Sequence, residues 1–294
     1  MRISDFADVR PILKGWSGDR KYRVTRPDGS LCLLRTASAD QYERKKAEYE
    51  WMERVASLGV PICRPLEFGR CGEGVYSLFS WGGGEAAEPV IPRLSETEAS
   101  AYGRTAGEYL RRIHTLPAPA DQEDWKARMG RKMDRKIEMY HGCPEKIDGG
   151  EAMIAYLQEH RSLLAGRPQC FQHGDYHVGN LMLENGRLVV IDFNRFDFGD
   201  PWEEFNRIVW CAQASPVFAS AMVDGYFGGE PPRLFWKLLA LYIASNTLSS
   251  LPWAVPFGQA EIDTMRNQAR DVLSWYDRMT RVVPRWYRHT GDKT

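Results

Sequence analysis

The sequence of 294 residues lacks a cysteine pattern, a net charge and a long apolar run. Its six cysteines form no Cys-x-x-Cys pair, which argues against a zinc site or a disulfide framework and favours a reducing compartment. The formal net charge is zero, so no global charge directs the chain to nucleic acid or to an anionic membrane. No apolar signal region opens the chain, and the longest apolar stretch, residues 235–244, is interrupted by Lys237. We therefore expect a cytoplasmic protein without nucleic-acid or membrane partners, and we expect a monomer.

What the sequence does contain is an Asn-Gly dipeptide between two short apolar runs, residues 181–183 and 188–191. Asn-Gly in this setting is the strongest short-range signal for a β-hairpin. With the dipeptide as the two turn residues, Asn180 lies opposite Ile191, and Asp192 lies opposite Gly179. The pattern therefore predicts that an amide oxygen and a carboxylate meet at the open end of a hairpin.

A second carboxylate, Asp175, lies shortly before Asn180 in the sequence. An Asp, an Asn and a further Asp on one patch suit Mg²⁺-assisted phosphoryl transfer to a hydroxyl. One carboxylate accepts the hydroxyl proton, while the other two groups hold the metal on the nucleotide phosphates. The spacing thus favours a kinase over a binding module.

The chain is predicted to divide into residues 1–84 and 85–294. The first part has strand patterns, including a hairpin over residues 21–35, and one helix over residues 40–58 with Asp40 and Glu43 as its capping box. Three glycines at residues 82–84 are interpreted as a flexible joint. The second part is mostly helical and carries the Asn-Gly hairpin, and we expect a nucleotide between two such lobes.

Three motifs follow one another in this second part. They are His173-Gly174-Asp175-x-His177-x-Gly179-Asn180, Ile191-Asp192-Phe193 and Gly199-Asp200-Pro201. Together they resemble the aminoglycoside phosphotransferase and choline kinase family, the small-molecule relatives of the protein kinase fold. The resemblance covers nearly the whole chain and implies an α+β, bilobal fold. Its small N-terminal lobe would be an antiparallel sheet with one helix, and its larger, mainly helical lobe would carry the catalytic hairpin.

The resemblance also implies roles for single residues. Asp175 becomes the catalytic base or the carboxylate that orients the hydroxyl. Asn180 and Asp192 become the Mg²⁺ ligands. His173 and Asp200 brace the catalytic loop and do not react.

The nucleotide site is expected in the N-terminal part. The resemblance implies that Arg35 contacts the phosphates and is held by Glu48. Because Glu48 lies on the same helix side as Met52, it should face inward, and an inward glutamate needs a cationic partner. Backbone groups are expected to contact the phosphates and the base at four further residues, namely Ser17, Gly18, Ser80 and Trp81.

A literal Asp-Phe-Gly occurs at residues 197–199 and would name Asp197 as the metal ligand. Asp197 lies beyond the end of the return strand, whereas Asp192 is placed by the hairpin. We therefore predict that Asp192 binds the metal and that Asp197 contributes to acceptor binding.

The acceptor site is expected along the segments after the hairpin. Its candidate walls are mostly acidic: Asp197, Trp202, Glu203, Glu204, Asp224 and Glu261. Several carboxylates would favour a polycationic acceptor such as an aminoglycoside. Acidic residues at helix starts also interact with the helix dipole, so this pattern leaves the acceptor open.

The sequence thus predicts a kinase that uses ATP or GTP with Mg²⁺ and phosphorylates a small-molecule hydroxyl. An aminoglycoside is the first candidate acceptor. Choline or ethanolamine, an amino sugar and a macrolide are alternatives within the same class. A nucleotide-binding module without turnover is the alternative outside that class.

Overall fold

The computed structural model describes residues 5–13, 18–72 and 74–289. Its contacts divide the chain into two compact units. The first unit contains Met1–Val90, His173–Asp175 and Gly179–Phe196, and the second contains Ile91–Gln172, Tyr176–Val178 and Asp197–Thr294. The first unit therefore includes most of the His173–Asn180 motif in addition to the N-terminal segment.

The first unit is built on a five-stranded antiparallel sheet with the strand order β1-β2-β3-β5-β4. The strands are β1 (Asp8–Ile12), β2 (Arg20–Thr25), β3 (Leu31–Ser38), β4 (Pro65–Cys71) and β5 (Gly74–Ser80). The predicted hairpin of β2 and β3 is confirmed, and Asp28 in its turn accepts a hydrogen bond from the Ser30 amide at 2.9 Å. Val24, Cys32 and Leu78 form part of the apolar core of this sheet.

One long helix, α1 (Tyr42–Ser57), crosses this unit after a 3-10 turn at Ala39–Gln41. The predicted capping box of Asp40 and Glu43 is wrong, because the helix begins later and no side chain caps its first turn. The 3-10 turn leads the chain into the helix instead. The predicted stop is correct: Gly59 has φ +72° and donates its amide to the Ala56 carbonyl at 3.1 Å.

The Asn-Gly hairpin lies in the same unit. It is formed by β8 (Leu181–Glu184) and β9 (Arg187–Val190), and a short strand β6 (Glu85–Ala86) pairs with β8. Asn185 has φ +49° and Gly186 has φ +75°, as a type I′ turn requires at both central positions. This confirms the predicted turn.

The glycines at residues 82–84 are packed in this structure. The Gly83 amide donates to Glu184 Oε1 at 2.8 Å, and a Cβ on Gly84, which has φ +97°, would overlap the Leu183 carbonyl. Both contacts are with strand β8. A glycine is therefore needed at position 84 for the close approach of two backbones, and the interpretation of residues 82–84 as a flexible joint stays a prediction.

The second unit is helical. After the short helix α2 (Ala87–Val90) of the first unit, the chain forms α3 (Glu96–Ile113), α4 (Trp125–Gly142), α5 (Gly150–His160), α6 (Ile208–Ala214), α7 (Pro216–Phe227), α8 (Arg233–Ala254) and α9 (Gln259–Trp275). The capping box predicted at Ser95 and Glu98 is present at the start of α3. Helices α3 and α7 approach closely at Gly103 and Gly107, where a Cβ would overlap α7 backbone. A two-stranded antiparallel pair, β7 (Cys170–Gln172) and β10 (Asp197–Gly199), completes the unit.

Helix α8 is longer than the apolar stretch read from the sequence. Together with the turn that follows it, Arg233–Phe257, it has the length and mean hydropathy of a membrane span, and 67% of its most apolar window is buried inside the protein. Tyr242 and Leu248, among many others, are fully or almost fully buried. The segment thus forms the centre of the helical unit, a position in which core helices are commonly this apolar.

Candidate functional site

The loop of residues 173–180 and the open end of the hairpin are joined by direct hydrogen bonds within the first unit. The side-chain amide of Asn180 donates to the main-chain carbonyl of Asp175 at 2.8 Å. The main-chain carbonyl of Asn180 accepts from the Ile191 amide at 3.0 Å, which continues the β8–β9 ladder by one pair. The register predicted from the Asn-Gly turn is therefore confirmed, and Asp192 follows directly after this pair.

His173 links the two halves of this arrangement. Its ring is completely buried, with Nε2 at 2.9 Å from the Ile191 carbonyl and Nδ1 accepting from the Asp175 amide at 3.2 Å. A carbonyl cannot donate and an amide cannot accept, so these partners select the neutral ring with its proton on Nε2. His173 therefore holds the start of the loop against the end of β9.

Gly174 explains why this loop reads His-Gly-Asp. Its φ is +84°, and a Cβ at this position would overlap the main-chain carbonyl oxygen of Arg195. Any larger residue would be strained and would collide with backbone that cannot move independently. The glycine thus allows the segment after Asp192 to lie against the loop of residues 173–180, and Arg195 Nη1 lies 3.7 Å from Asp175 Oδ2.

Asp192 has a left-handed backbone conformation, which residues other than glycine adopt uncommonly. Its φ and ψ are +67° and +61°, and it precedes a single 3-10 turn, Phe193–Arg195. A left-handed residue other than glycine costs on the order of 1 kcal/mol and is concentrated at functional sites. The Phe193 ring packs 4.4 Å from the buried His173 ring, which helps to hold this turn in place.

The oxygen donors at the hairpin end fit Mg²⁺. Asn180 offers an amide oxygen whose orientation is fixed because its nitrogen is bound to Asp175, and Asp192 offers a carboxylate. Mg²⁺ prefers hard oxygen ligands, and it commonly uses one or two protein groups while phosphates and waters complete its shell. Across the part of the chain that the structure describes, no group of three or more His, Cys, Asp or Glu residues could hold a metal by itself.

Arg35 and Glu48 form the predicted ion pair. Glu48 faces the interior and is 3% exposed, and its Oε1 accepts from Arg35 Nη1 at 2.6 Å. Two residues that were not predicted from the sequence, Lys45 and Asp19, extend this ion pair to a cluster of four charged side chains. Lys45 Nζ donates to Glu48 Oε2 at 2.9 Å, and Asp19 Oδ2 accepts from both cations. Lys45 lies three residues before Glu48, on the same helix face, and this spacing was the available signal.

The charges of this buried cluster determine its protonation. Burial alone would lower the pKa of Arg35, but the charges of Glu48 and Asp19 outweigh it and raise that pKa above its ordinary value. Asp192 adds to the same effect, so the carboxylate at the hairpin end lies within electrostatic reach of Arg35. The guanidinium and the hairpin end therefore share one electrostatic environment.

The segment expected to contact the base has its amides engaged by the protein. The Ser80 amide donates to the Arg64 carbonyl at 2.8 Å, and the Trp81 amide donates to the Leu31 carbonyl at 3.3 Å. A base would therefore meet other backbone groups here than these two amides. Of the two expected phosphate-loop residues, Ser17 lies outside the described residues, and a Cβ on Gly18 would meet nothing within 4 Å.

Asp197 and Asp200 lie in the second unit. Asp197 is paired with Gln172 across β10 and β7, and its carboxylate accepts from Arg128 Nη2. Asp200 is fully buried and accepts from Arg167 Nε and Nη2 at 2.7 and 2.9 Å, while its carbonyl accepts from Gln172 at 2.8 Å. Asp200 thus fixes the end of β7, the strand that directly precedes His173.

Three of the other expected acceptor residues, Trp202, Glu204 and Asp224, have partners of their own. Arg167 stacks on Trp202 at 3.8 Å, and Glu204 and Asp224 are almost fully buried. Glu204 accepts from the Tyr176 amide at 3.3 Å, and Asp224 accepts from the Tyr287 hydroxyl at 2.7 Å. Glu261 lies in the first turn of α9. These contacts stabilise the helical unit.

Glu203 lies among cations. Burial would raise the pKa of its carboxyl, but Lys132, Lys136 and Arg207 outweigh burial and lower it. Burial and the neighbouring Lys132 together lower the pKa of Lys136 to about 7. This group therefore carries more positive than negative charge, so Glu203 does not add negative charge to the expected acceptor site.

The sheet, the loop and the hairpin define the α+β fold of protein-kinase-like phosphotransferases. The sequence pattern of the "Phosphotransferase enzyme family" matches residues 8–236, and the chain belongs to this family. A glucosamine kinase from Streptacidiphilus jiangxiensis is 32% identical over 130 residues, which are 41% of this chain and 30% of that protein. The chain therefore matches less than a third of the length of that curated relative.

Solved structures of low sequence identity show the same fold. A choline/ethanolamine kinase family protein from Mesorhizobium loti has a TM-score of 0.68 at 16% identity, over 95% of this chain and 92% of that one. Aminoglycoside phosphotransferase APH(4)-Ia has a TM-score of 0.66 at 19% identity, over 92% and 94%. Amicoumacin kinase hAmiN, in complex with AMP-PNP, Ca²⁺ and Ami, has a TM-score of 0.65 at 11% identity, over 94% and 90%.

Proposed function

We propose that this phosphotransferase moves the γ-phosphate of ATP or GTP to a hydroxyl of a small molecule, with Asp175 as its catalytic base. The observation that carries the proposal is the hydrogen-bonded arrangement of Asp175, Asn180 and the strand end before Asp192. One carboxylate for the hydroxyl and two oxygen ligands for a metal are the groups that this reaction needs.

The residues act by positioning. Asp175 orients the acceptor hydroxyl and takes its proton, while His173 holds the Asp175 backbone through its amide. Arg35 binds nucleotide phosphate, and its pairing with Glu48 fixes the guanidinium. Asn180 and Asp192 would hold Mg²⁺, which would offset charge on the phosphates. Most of the rate then comes from alignment and electrostatic stabilisation.

For the acceptor we propose an amino sugar, either free or as part of an aminoglycoside. The glucosamine kinase similarity and the aminoglycoside phosphotransferase fold both support this class. Within it, a free amino sugar with few charges is favoured over a polycation. The reason is that Asp197 and Glu203, two expected acceptor carboxylates, already face Arg128 and Lys132.

A panel of acceptors tests the function. ADP or GDP release is measured with glucosamine, other amino sugars, aminoglycosides, choline, ethanolamine and macrolides, and Asp175→Ala serves as the control. The expected result is acceptor-dependent release that Asp175→Ala loses. Nucleotide binding without release for any acceptor would support a non-catalytic module instead, and strong turnover of choline alone would refute the amino-sugar proposal.

A further inference from the structure

Asp19 brings the two cations of the buried cluster onto one oxygen atom. Its Oδ2 accepts from Arg35 Nε at 3.0 Å, from Arg35 Nη2 at 2.6 Å and from Lys45 Nζ at 2.7 Å. Three charge-assisted donors on a single oxygen form a strong anion site. In this structure the carboxylate of Asp19, the residue just before β2, occupies this anion site.

The cluster is balanced in charge and removed from water. Arg35 and Lys45 contribute two positive charges, and Asp19 and Glu48 contribute two negative charges. The four side chains are each at most 10% exposed. Burial would raise the pKa of the Asp19 carboxyl, but Arg35 and Lys45 outweigh it and lower that pKa, so Asp19 is anionic at neutral pH. Without Asp19 the same cluster would carry a net positive charge.

The two carboxylates occupy different parts of the guanidinium. Glu48 accepts from Nη1, whereas Asp19 accepts from Nε and Nη2. The Nε and Nη2 groups form one edge of the planar fork, an edge that suits phosphate oxygens as well as carboxylates. A phosphate that takes this edge must displace Asp19, because these N–H groups cannot serve both anions with full strength. Glu48 can stay in place throughout.

We propose that Asp19 competes with the nucleotide phosphates for Arg35 and Lys45, and that Lys45 is a second phosphate-binding cation of the site. This inference rests on the proposed nucleotide-dependent function. Lys45 shares its two partners with Arg35, so removal of Asp19 would release two N–H donors of Arg35 and one of Lys45 toward the same point. The carboxylate thereby keeps two buried cations paired until a phosphate replaces it.

Direct binding measurements test the proposal without turnover. Titration calorimetry with AMP-PNP and Mg²⁺ is carried out on the full chain and on Asp19→Asn, which keeps the size of the side chain and removes its charge. We expect the Kd of Asp19→Asn to fall by roughly 3- to 10-fold, because the nucleotide no longer displaces an anion. Asp40→Asn is the matched control, since Asp40 is exposed and lies outside the cluster.

Lys45 is tested in both backgrounds. Lys45→Met should raise the Kd about tenfold in the wild-type chain and also in Asp19→Asn. If Lys45 acted only by holding Asp19, its effect would disappear in the Asp19→Asn background. Lys46→Met is the control, because Lys46 pairs with Glu50 on the exposed face of the same helix.

The outcomes separate this inference from the proposed function. A wild-type chain that binds no AMP-PNP at all would contradict nucleotide-dependent transfer itself. Wild-type binding with an unchanged or weaker Kd in Asp19→Asn would overturn only the competition. If Asp19→Asn does not fold, Asp19→Ala and the thermal shift produced by AMP-PNP are measured instead, and an absent gain in that shift counts against the inference.

Discussion

The side-chain amide of Asn180 donates to the main-chain carbonyl of Asp175 at 2.8 Å. This bond fixes the orientation of the Asn180 side-chain oxygen relative to the Asp175 backbone. Asn180→Asp removes this donor and places two oxygen atoms against each other. We expect kcat to fall by about 100-fold, with a loss of stability of about 1–3 kcal/mol from the unsatisfied carbonyl.

Steady-state kinetics and urea unfolding of Asn180→Asp check this expectation. Asn185→Asp provides the control, since the turn residue has φ +49° and aspartate tolerates that conformation. Equal activity of Asn180→Asp and the wild-type chain would contradict the role of the orienting bond, because the aspartate still offers an oxygen to a metal ion.

Asp192 and Asp197 are expected to respond differently to alanine. Asp192→Ala should abolish turnover, because it removes a proposed metal ligand at the hairpin end. Asp197→Ala should leave most of kcat intact and act mainly on the acceptor KM, since Asp197 lies beyond the hairpin and its carboxylate pairs with Arg128. Measuring kcat and both KM values for the two variants decides the matter, and the opposite pattern would show that the Asp-Phe-Gly match at residues 197–199 is the metal motif.

Gly174→Ala should disrupt the loop of residues 173–180. An added Cβ at φ +84° would overlap the Arg195 carbonyl, so strain and collision act together, and we expect a loss of more than about 2 kcal/mol in the free energy of unfolding. Gly166→Ala is the matched control, because Gly166 has φ +67° and nothing within 4 Å. Thermal unfolding of both variants separates the collision from the backbone strain, and equal losses would argue against the contact with Arg195.

Because of Asp19, the free energy of unfolding should decrease at acid pH. Its pKa is lowered in the folded protein from an ordinary value of 3.8, so the folded state favours the charged form. The stabilisation is fully present above pH 3.8 and is lost as the pH falls through the lower, folded-state pKa. Urea unfolding of the wild-type chain and of Asp19→Asn between pH 2 and 6 tests this, with buffers chosen about one unit apart. Parallel curves for the two proteins would refute it.

The sequence predicted those features that follow from local rules. The Asn-Gly turn set the register of β8 and β9, and the helical spacing turned Glu48 inward toward Arg35. Asp19 could not be predicted, because it reaches Lys45 across 26 positions of the chain through the fold alone. The capping box at Asp40 failed for the opposite reason: a local pattern was present, but the chain formed a 3-10 turn there.

The partners of the acidic residues were equally invisible in the sequence. Glu203 reads as a first-turn carboxylate, yet its nearest charges come from Lys132 and Lys136 on α4, a helix about seventy residues earlier. Sequence composition near a residue therefore said little about the charge that it meets. The choice of acceptor depends on the charges around its site, so it is the part of the function that local sequence patterns define least.

Arg35→Ala should raise the nucleotide KM by at least about tenfold and leave the acceptor KM nearly unchanged. The change removes a phosphate-binding cation and also leaves Asp19 and Glu48 with Lys45 as their remaining partner, so stability should fall as well. Arg35→Lys keeps the charge and reduces the bidentate contact, and we expect an intermediate nucleotide KM with better folding. Arg10→Ala, which removes an exposed strand arginine, is the control. An Arg35→Lys variant with wild-type nucleotide kinetics would show that charge alone suffices, and unchanged kinetics in Arg35→Ala would remove Arg35 from the nucleotide site.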